Sequence, residues 1–263
     1  MKTARFLLAS SLGELAALDE PGYSGVNFGA EFCPMKLPSG EEVKKARILC
    51  AGRGLSFSLV TPLARQAHFP LVTSWLTELL VKGEEWVAND WGVLHFASGR
   101  GTANPVTAGR LLSRQRRDSR CLDMLLGASE EEARGISGSL WDDEDSVKLA
   151  VKLGVTRFEL DPVFQGVHRP SLPEGAKVSI CAPYFPATVA LACPYSENIL
   201  KDPLGCGRVC RKYPPATVTN LQRPEPLYSS GNALFFLSGE AHAQKCAETA
   251  GADRLVWAKN IPA

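Results

Sequence analysis

Residues 39–62 read SGEEVKKARILCAGRGLSFSLVTP, a capped helix running straight into an apolar strand. Ser39 stands at the cap position, Glu41 and Glu42 suit the positive end of a helix, and Gly52 can stop it. LSFSLVTP (55–62) then reads as a strand. The same rhythm spreads in both directions. Upstream, RFLLA (5–9) and SGVNFGA (24–30) read as strands, with LGELAAL (12–18) beginning a helix between them. Downstream, LVTSWLTELLVKG (71–83) is a helix with Leu76, Leu79 and Leu80 at core spacing. EWVAND (85–90), the short helix WGVLHFAS (91–98) and the strand PVTAGRLL (105–112) follow.

The second half continues the pattern. LWDDEDSVKLAVKLGV (140–155) is a helix capped by Asp142 or Asp143, with Val147, Leu149, Ala150 and Leu153 as its apolar residues. TRFELDP (156–162) is a strand, and KVSICAPYFPATVAL (177–191) is β-rich but broken by Pro183 and Pro186. NALFFLS (232–238), GEAHAQKCAETAG (239–251) and DRLVWA (253–258) give strand, helix, strand. A strand–helix unit of about thirty residues, repeated seven or eight times, predicts an α/β fold with a parallel sheet. A (β/α)8 TIM-like barrel is the first expectation and an open doubly wound sheet the second. No Pro- or Ser-rich linker divides the chain, so residues 1–263 are read as one barrel-like domain with a cysteine-rich loop at 193–214.

Bulk properties narrow the function. The chain has 29 basic and 28 acidic side chains, so no global pull toward nucleic acid or anionic membrane is indicated. RLLSRQRRDSR (110–120) is the one basic run, and it reads first as a solvated helix or loop. No apolar stretch reaches the roughly 18–20 residues that span a bilayer. MKTARFLLASSLGELAAL (1–18) reads as a first strand and helix rather than a leader, and a cytoplasmic chain is the default expectation. In a reducing compartment clustered thiols are more often metal ligands or catalysts than disulfides.

The cysteines separate into two groups. Cys50 and Cys246 lie in helical patterns, and Cys121 and Cys181 have no close thiol neighbour in sequence. These four read as core residues. In CPYSENILKDPLGCGRVCRKYP (193–214), twelve residues separate Cys193 from Cys206 and three separate Cys206 from Cys210. On a helix the latter pair would share a face. Gly205 and Gly207 permit tight turning, and Lys201, Arg208, Arg211 and Lys212 favour thiolate. Cys33, just past the second strand, is the best fourth donor, because every strand of a barrel ends on one rim. Spacing alone leaves a metal site, unrelated core thiols and disulfides all open: the pattern is neither a zinc ribbon nor a ferredoxin run.

The segment 193–214 resembles the cysteine region of the collagenase-like peptidase family (peptidase family U-thirty-two), and within it the UbiV-like branch. Lys212-Tyr213-Pro214 match the ending that follows C-x3-C, and FGAEFC (28–33) matches the early cysteine. VANDWGVL (87–94) and GVTRFELD (154–161) resemble two further strand signatures of the family. Where many members place Ser-x-Arg before the second cysteine, this chain has Leu191-Ala192. The resemblance implies a barrel-like fold and a 4Fe–4S cluster held by Cys33, Cys193, Cys206 and Cys210. It implies an iron–sulfur protein acting in or assisting oxygen-independent hydroxylation, on a ubiquinone-precursor ring or an RNA base, paired with a second barrel of the same family.

Three alternatives to that reading stand beside it. The same thiols suit a structural zinc site in an accessory protein. The family name suggests a peptidase, but no serine nucleophile elbow or HExxH motif is present. Arg114, Arg116 and Arg117 could meet RNA phosphates. Asn89, Asp90, Arg157, Glu159 and Asp161 fall at predicted strand ends and are plausible rim residues. His68, His95, His168 and His242 are scattered and read as structural.

Overall fold

The computed structural model describes residues 3–101, 104–190, 193–195, 204–220 and 223–262. Leu191, Ala192 and Lys201 lie outside them. Eight strands close a parallel barrel: β1 (Ala4–Ala9), β2 (Tyr23–Gly29), β3 (Ser56–Thr61), β4 (Glu85–Ala88), β5 (Val106–Ala108), β6 (Val155–Leu160), β7 (Lys177–Ala182) and β12 (Arg254–Ala258). β12 pairs with both β1 and β7, which shuts the ring. The expected (β/α)8-type barrel is therefore observed, with irregular crossovers. Its helices are α1 (Gly40–Gly52), α2 (Phe69–Leu79), α3 (Trp91–Ser98), α4 (Cys121–Leu125), α5 (Glu130–Ile136), α6 (Glu144–Lys152) and α7 (Glu240–Ala250). Among the described residues no helix is long and apolar enough to cross a membrane.

Local chemistry explains the helix starts. Ser39 Oγ accepts from the Glu42 amide at 3.3 Å, while Glu42 accepts the Ser39 amide at 2.8 Å, a reciprocal cap. α1 then buries Val43, Ala46 and Cys50 along one face. Asp143 caps α6 through the Ser146 amide at 2.8 Å, and Asp90 caps α3 through Val93 at 3.0 Å. Val147 and Ala150 are the buried residues of α6, whereas Leu149 is exposed. Residues Leu12–Asp19 form a 3-10 helix rather than an α-helix.

The largest departure from the strand–helix repeat among the described residues lies between β7 and α7. There the chain leaves the barrel to build an antiparallel sheet ordered β8 (Tyr184–Val189), β11 (Ala233–Leu237), β10 (Arg223–Ser230) and β9 (Ala216–Asn220). NALFFLS is thus not a strand of the parallel barrel. It pairs with β8 and β10, and only DRLVWA returns to close the ring. Phe32–Phe235 edge-to-face packing at 4.9 Å seats this sheet against the loop after β2.

The barrel interior is polar where many barrels stack aliphatic layers. At the end where the strands begin, Arg254 forks onto Glu85 at 2.7 and 2.9 Å and lies 3.8 Å over the Phe6 ring. A Cβ on Gly25 would stand 2.5 Å from that ring, so the glycine makes the room that Phe6 fills. Arg157 bonds Asp253 at 3.1 Å at this same end, away from the rim where it was expected. Higher in the lumen, Glu159 is buried beside Asn27 at 3.5 Å and keeps one oxygen without a protein partner.

Burial, reinforced by Glu31 and opposed by Arg110, pushes the Glu159 carboxyl up to about 8. Between the ordinary carboxylate range and that value the folded state holds one more proton than the unfolded chain. Stability from this group is therefore full at low pH and falls as pH rises toward 8. Glu159→Gln is expected to flatten the fall in urea-unfolding midpoint between about pH 5 and pH 8. Identical slopes in wild type and variant would contradict this.

Candidate functional site

At the mouth where the strands end, one guanidinium organises everything near it. Arg110 follows β5 and is buried. Its Nε donates to Glu31 at 2.9 Å, and its Nη2 makes a second, shorter bond to the same carboxylate. Nη1 donates to Asp161 at 3.3 Å and to the Tyr184 carbonyl at 2.6 Å. Arg117 completes the cluster, bonding Asp161 at 2.7 Å and the Arg110 carbonyl at 2.7 Å. Burial alone would lower the Arg110 pKa, but Glu31 and Asp161 more than reverse that and hold the charge firmly. These ion pairs occupy one side of the mouth, while a second pocket lined by Ser10, Glu14, Glu31 and Asn260 opens beside the ends of β1, β2 and β12.

The basic run is therefore largely consumed. Arg110 and Arg117 serve the mouth, Arg116 donates to the Gly135 carbonyl, and Arg120 pairs with Asp118. Arg114 is exposed with φ 49°. Asn89 is structural: it donates to the Thr61 carbonyl at 3.1 Å and accepts from Leu111 at 3.3 Å.

Beside the mouth lies a narrow cavity between the barrel and the inserted sheet. Cys33, Cys193, Cys206 and Cys210 all line it. Cys33 comes from the loop after β2, Cys193 from just past β8, and the other two from the segment before β9. Asn232 braces the two walls: its side-chain amide donates to the Phe32 and Ala190 carbonyls, each at 3.0 Å. Cys206 and Cys210 do not share an α-helix. Cys210 sits in the 3-10 turn Val209–Lys212, and left-handed Arg208 (φ 53°) separates it from Cys206. Tyr195 and Tyr213 stack at 5.8 Å across the base of this segment.

The four thiols are partly exposed and free, whereas Cys50, Cys121, Cys181 and Cys246 are buried elsewhere. Burial raises the Cys33 pKa, against the Met35 amide and Lys36, which lower it. Burial also raises that of Cys193, against the Tyr195 amide and Lys36. Lys36, Arg65, Arg208 and His68 share the cavity wall, and no carboxylate lines it among the described residues. His68 is the site histidine that sequence spacing did not single out. Its only signal is its place in the loop after β3, on the same rim. His168 pairs with Asp142 at 2.6 Å and His242 bonds the Val163 carbonyl at 2.9 Å, both away from the thiols.

The donor set suits a soft metal or a metal–sulfur cluster: four sulfurs with cations around them. Among the described residues, however, no three His, Cys, Asp or Glu side chains are gathered tightly enough to hold a single metal ion. A tetrahedral zinc with Zn–S near 2.3 Å needs sulfurs about 3.8 Å apart. A four-iron cube takes each thiolate at a different corner, so its ligands stand further apart.

No protein-family model and no curated protein matches the chain. Among solved structures it is similar to the U32 peptidase Mk0906, at TM-score 0.50 and 11% identity, over 100% of this chain and 95% of that one. It also aligns with a glycoside hydrolase family 18 N-acetylglucosaminidase from Paenibacillus barengoltzii, at TM-score 0.36 and 8% identity, over 97% and 94%. The first likeness shows a shared fold.

Arg110→Met leaves Glu31 buried without its partner and Asp161 with Arg117 alone. Breaking a buried pair in this way is expected to cost about 3–5 kcal/mol, read from urea unfolding. Arg110→Lys should recover only part of it, since an ammonium cannot fork to Glu31 and reach Tyr184 together. Wild-type stability in Arg110→Met would contradict the assignment.

Proposed function

We propose that this chain is a U32-type barrel protein carrying a 4Fe–4S cluster on Cys33, Cys193, Cys206 and Cys210. In this reading it acts in or assists oxygen-independent hydroxylation. The observation that carries the proposal is the meeting of these four thiols, from two distant segments, on one cation-lined cavity that no carboxylate lines among the described residues. When bound, such a cluster would hold and pass single electrons. The chain's own residues do the rest. The thiols give up protons to bind, Lys36, Arg65 and Arg208 offset the charge that results, and Phe32, Met35 and Leu63 keep water from one wall.

With cysteine at every corner of such a cluster, electron holding is favoured over direct substrate chemistry. Hydroxylation of a ubiquinone-precursor ring or RNA base, and pairing with a second barrel of the family, rest on the sequence resemblance at 193–214. Among the described residues nothing in the mouth favours peptide cleavage, the activity named for the similar structure. The Cys246–His242 contact at 3.5 Å is no nucleophile pair: the imidazole bonds the Val163 carbonyl, and burial pushes the thiol up to about 11.

Anaerobically purified protein is expected to contain iron and acid-labile sulfide in equal amounts and to show visible charge-transfer absorption. Alanine at any of the four cavity cysteines should remove both, while Cys50→Ala and Cys246→Ala should keep both. Retention of colour and iron in all four cavity variants would sink the proposal. Zinc at one ion per chain without sulfide would replace it with the structural-zinc reading.

A further inference from the structure

We propose that Lys36 is the anchored countercharge of the thiol cavity, the residue that sets how tightly a metal centre is held there and at what potential. This rests on reading the four cysteines as a metal–sulfur site, and adds which residue of the chain tunes it.

Charge bookkeeping comes first. Four thiolates around a zinc ion, or around a cube carrying two positive charges, leave a net charge of about two minus. A partly buried dianion needs positive charge nearby, or burial returns the protons to the thiols. The cavity wall provides Lys36, Arg65 and Arg208. Of these, Lys36 is fixed from two directions. Its backbone amide donates to the Cys33 carbonyl at 3.0 Å, closing the 3-10 turn Pro34–Lys36. Its Nζ donates to Ser230 Oγ at 3.2 Å across the boundary between barrel and sheet.

The sheet is shaped to receive it. Gly231 occupies the left-handed region at φ 60°, and a Cβ there would stand 3.1 Å from Lys36 Nζ and 3.2 Å from its Cε. The ammonium therefore lies in the space that the missing side chain leaves. From that position it shares the cavity wall with both Cys33 and Cys193, one thiol from each side. Arg208 is exposed at the outer lip, where solvent screens its charge.

The test uses the full chain, handled anaerobically, as wild type, Lys36→Met, Lys36→Arg and Ser230→Ala. Iron with sulfide is the probe: the reconstituted centre is challenged with a competing iron chelator and read by its visible charge-transfer band. Lys36→Met is expected to weaken iron retention 10- to 100-fold, the usual effect of losing a residue that supports metal ligands. Lys36→Arg should stay within a few-fold of wild type, and Ser230→Ala should fall between Lys36→Arg and Lys36→Met. After reconstitution with iron and sulfide, the midpoint potential of Lys36→Met should be more negative than that of wild type, because a positive charge that favours the reduced form is gone. Lys36→Met matching wild type in both affinity and potential would overturn the proposal while leaving the metal site standing. Loss of affinity in Lys36→Arg equal to that in Lys36→Met would also overturn it, since shape rather than charge would then matter. Wild type that binds no iron would overturn the reading of the site, and this proposal with it.

Discussion

The fork of Arg110 onto Glu31, Asp161 and the Tyr184 carbonyl is the interaction on which the site depends. Glu31 follows β2, Asp161 follows β6, and Tyr184 opens the inserted sheet. One buried guanidinium thus ties two barrel walls to the element that carries three of the four cavity cysteines. Glu31 also stands two residues before Cys33, so the same ion pair fixes the fourth. A buried charge network of this kind is weak evidence for stability in itself. Its effect here is positional: with both carboxylates met, the loop after β2 and the start of β8 have one well-satisfied arrangement.

That arrangement presses against the chemistry of the thiols. Taking Cys33 and Cys193 out of water favours their protonated forms, while a soft metal needs them ionised. The lysine and arginines of the wall, with the Met35 and Tyr195 amides, work in the opposite sense. Occupancy of the cavity is then a competition between protons and metal, tuned by a few cations rather than decided by the sulfurs alone. The same logic sets the buried cysteines of two barrel helices apart from these. Cys50 and Cys246 are buried on α1 and α7, and their thiols are pushed up to about 11.

Much of this was legible in the amino-acid order because it rests on local chemistry. Ser39 and Asp143 announce their helices, and the strand–helix rhythm announces the barrel. The cavity cysteines were grouped by spacing and by the rule that barrel strands end on one rim. NALFFLS was misplaced because a short apolar strand looks alike in a parallel barrel and an antiparallel sheet. The signal that separates them is Gly231-Asn232, a two-residue hairpin loop between β10 and β11. The mouth network left no local trace, since Arg110 meets partners 79 and 51 residues away. A run of arginines looks solvated until the acids that meet it are found on other strands.

The central claim is that two distant segments close on one iron–sulfur centre. X-ray absorption at the iron edge of the anaerobic, full-length protein tests it most directly. The account predicts an all-sulfur first shell with an iron–iron shell at the spacing of a cubane. A first shell of nitrogen and oxygen, or sulfur without any iron–iron shell, would contradict it.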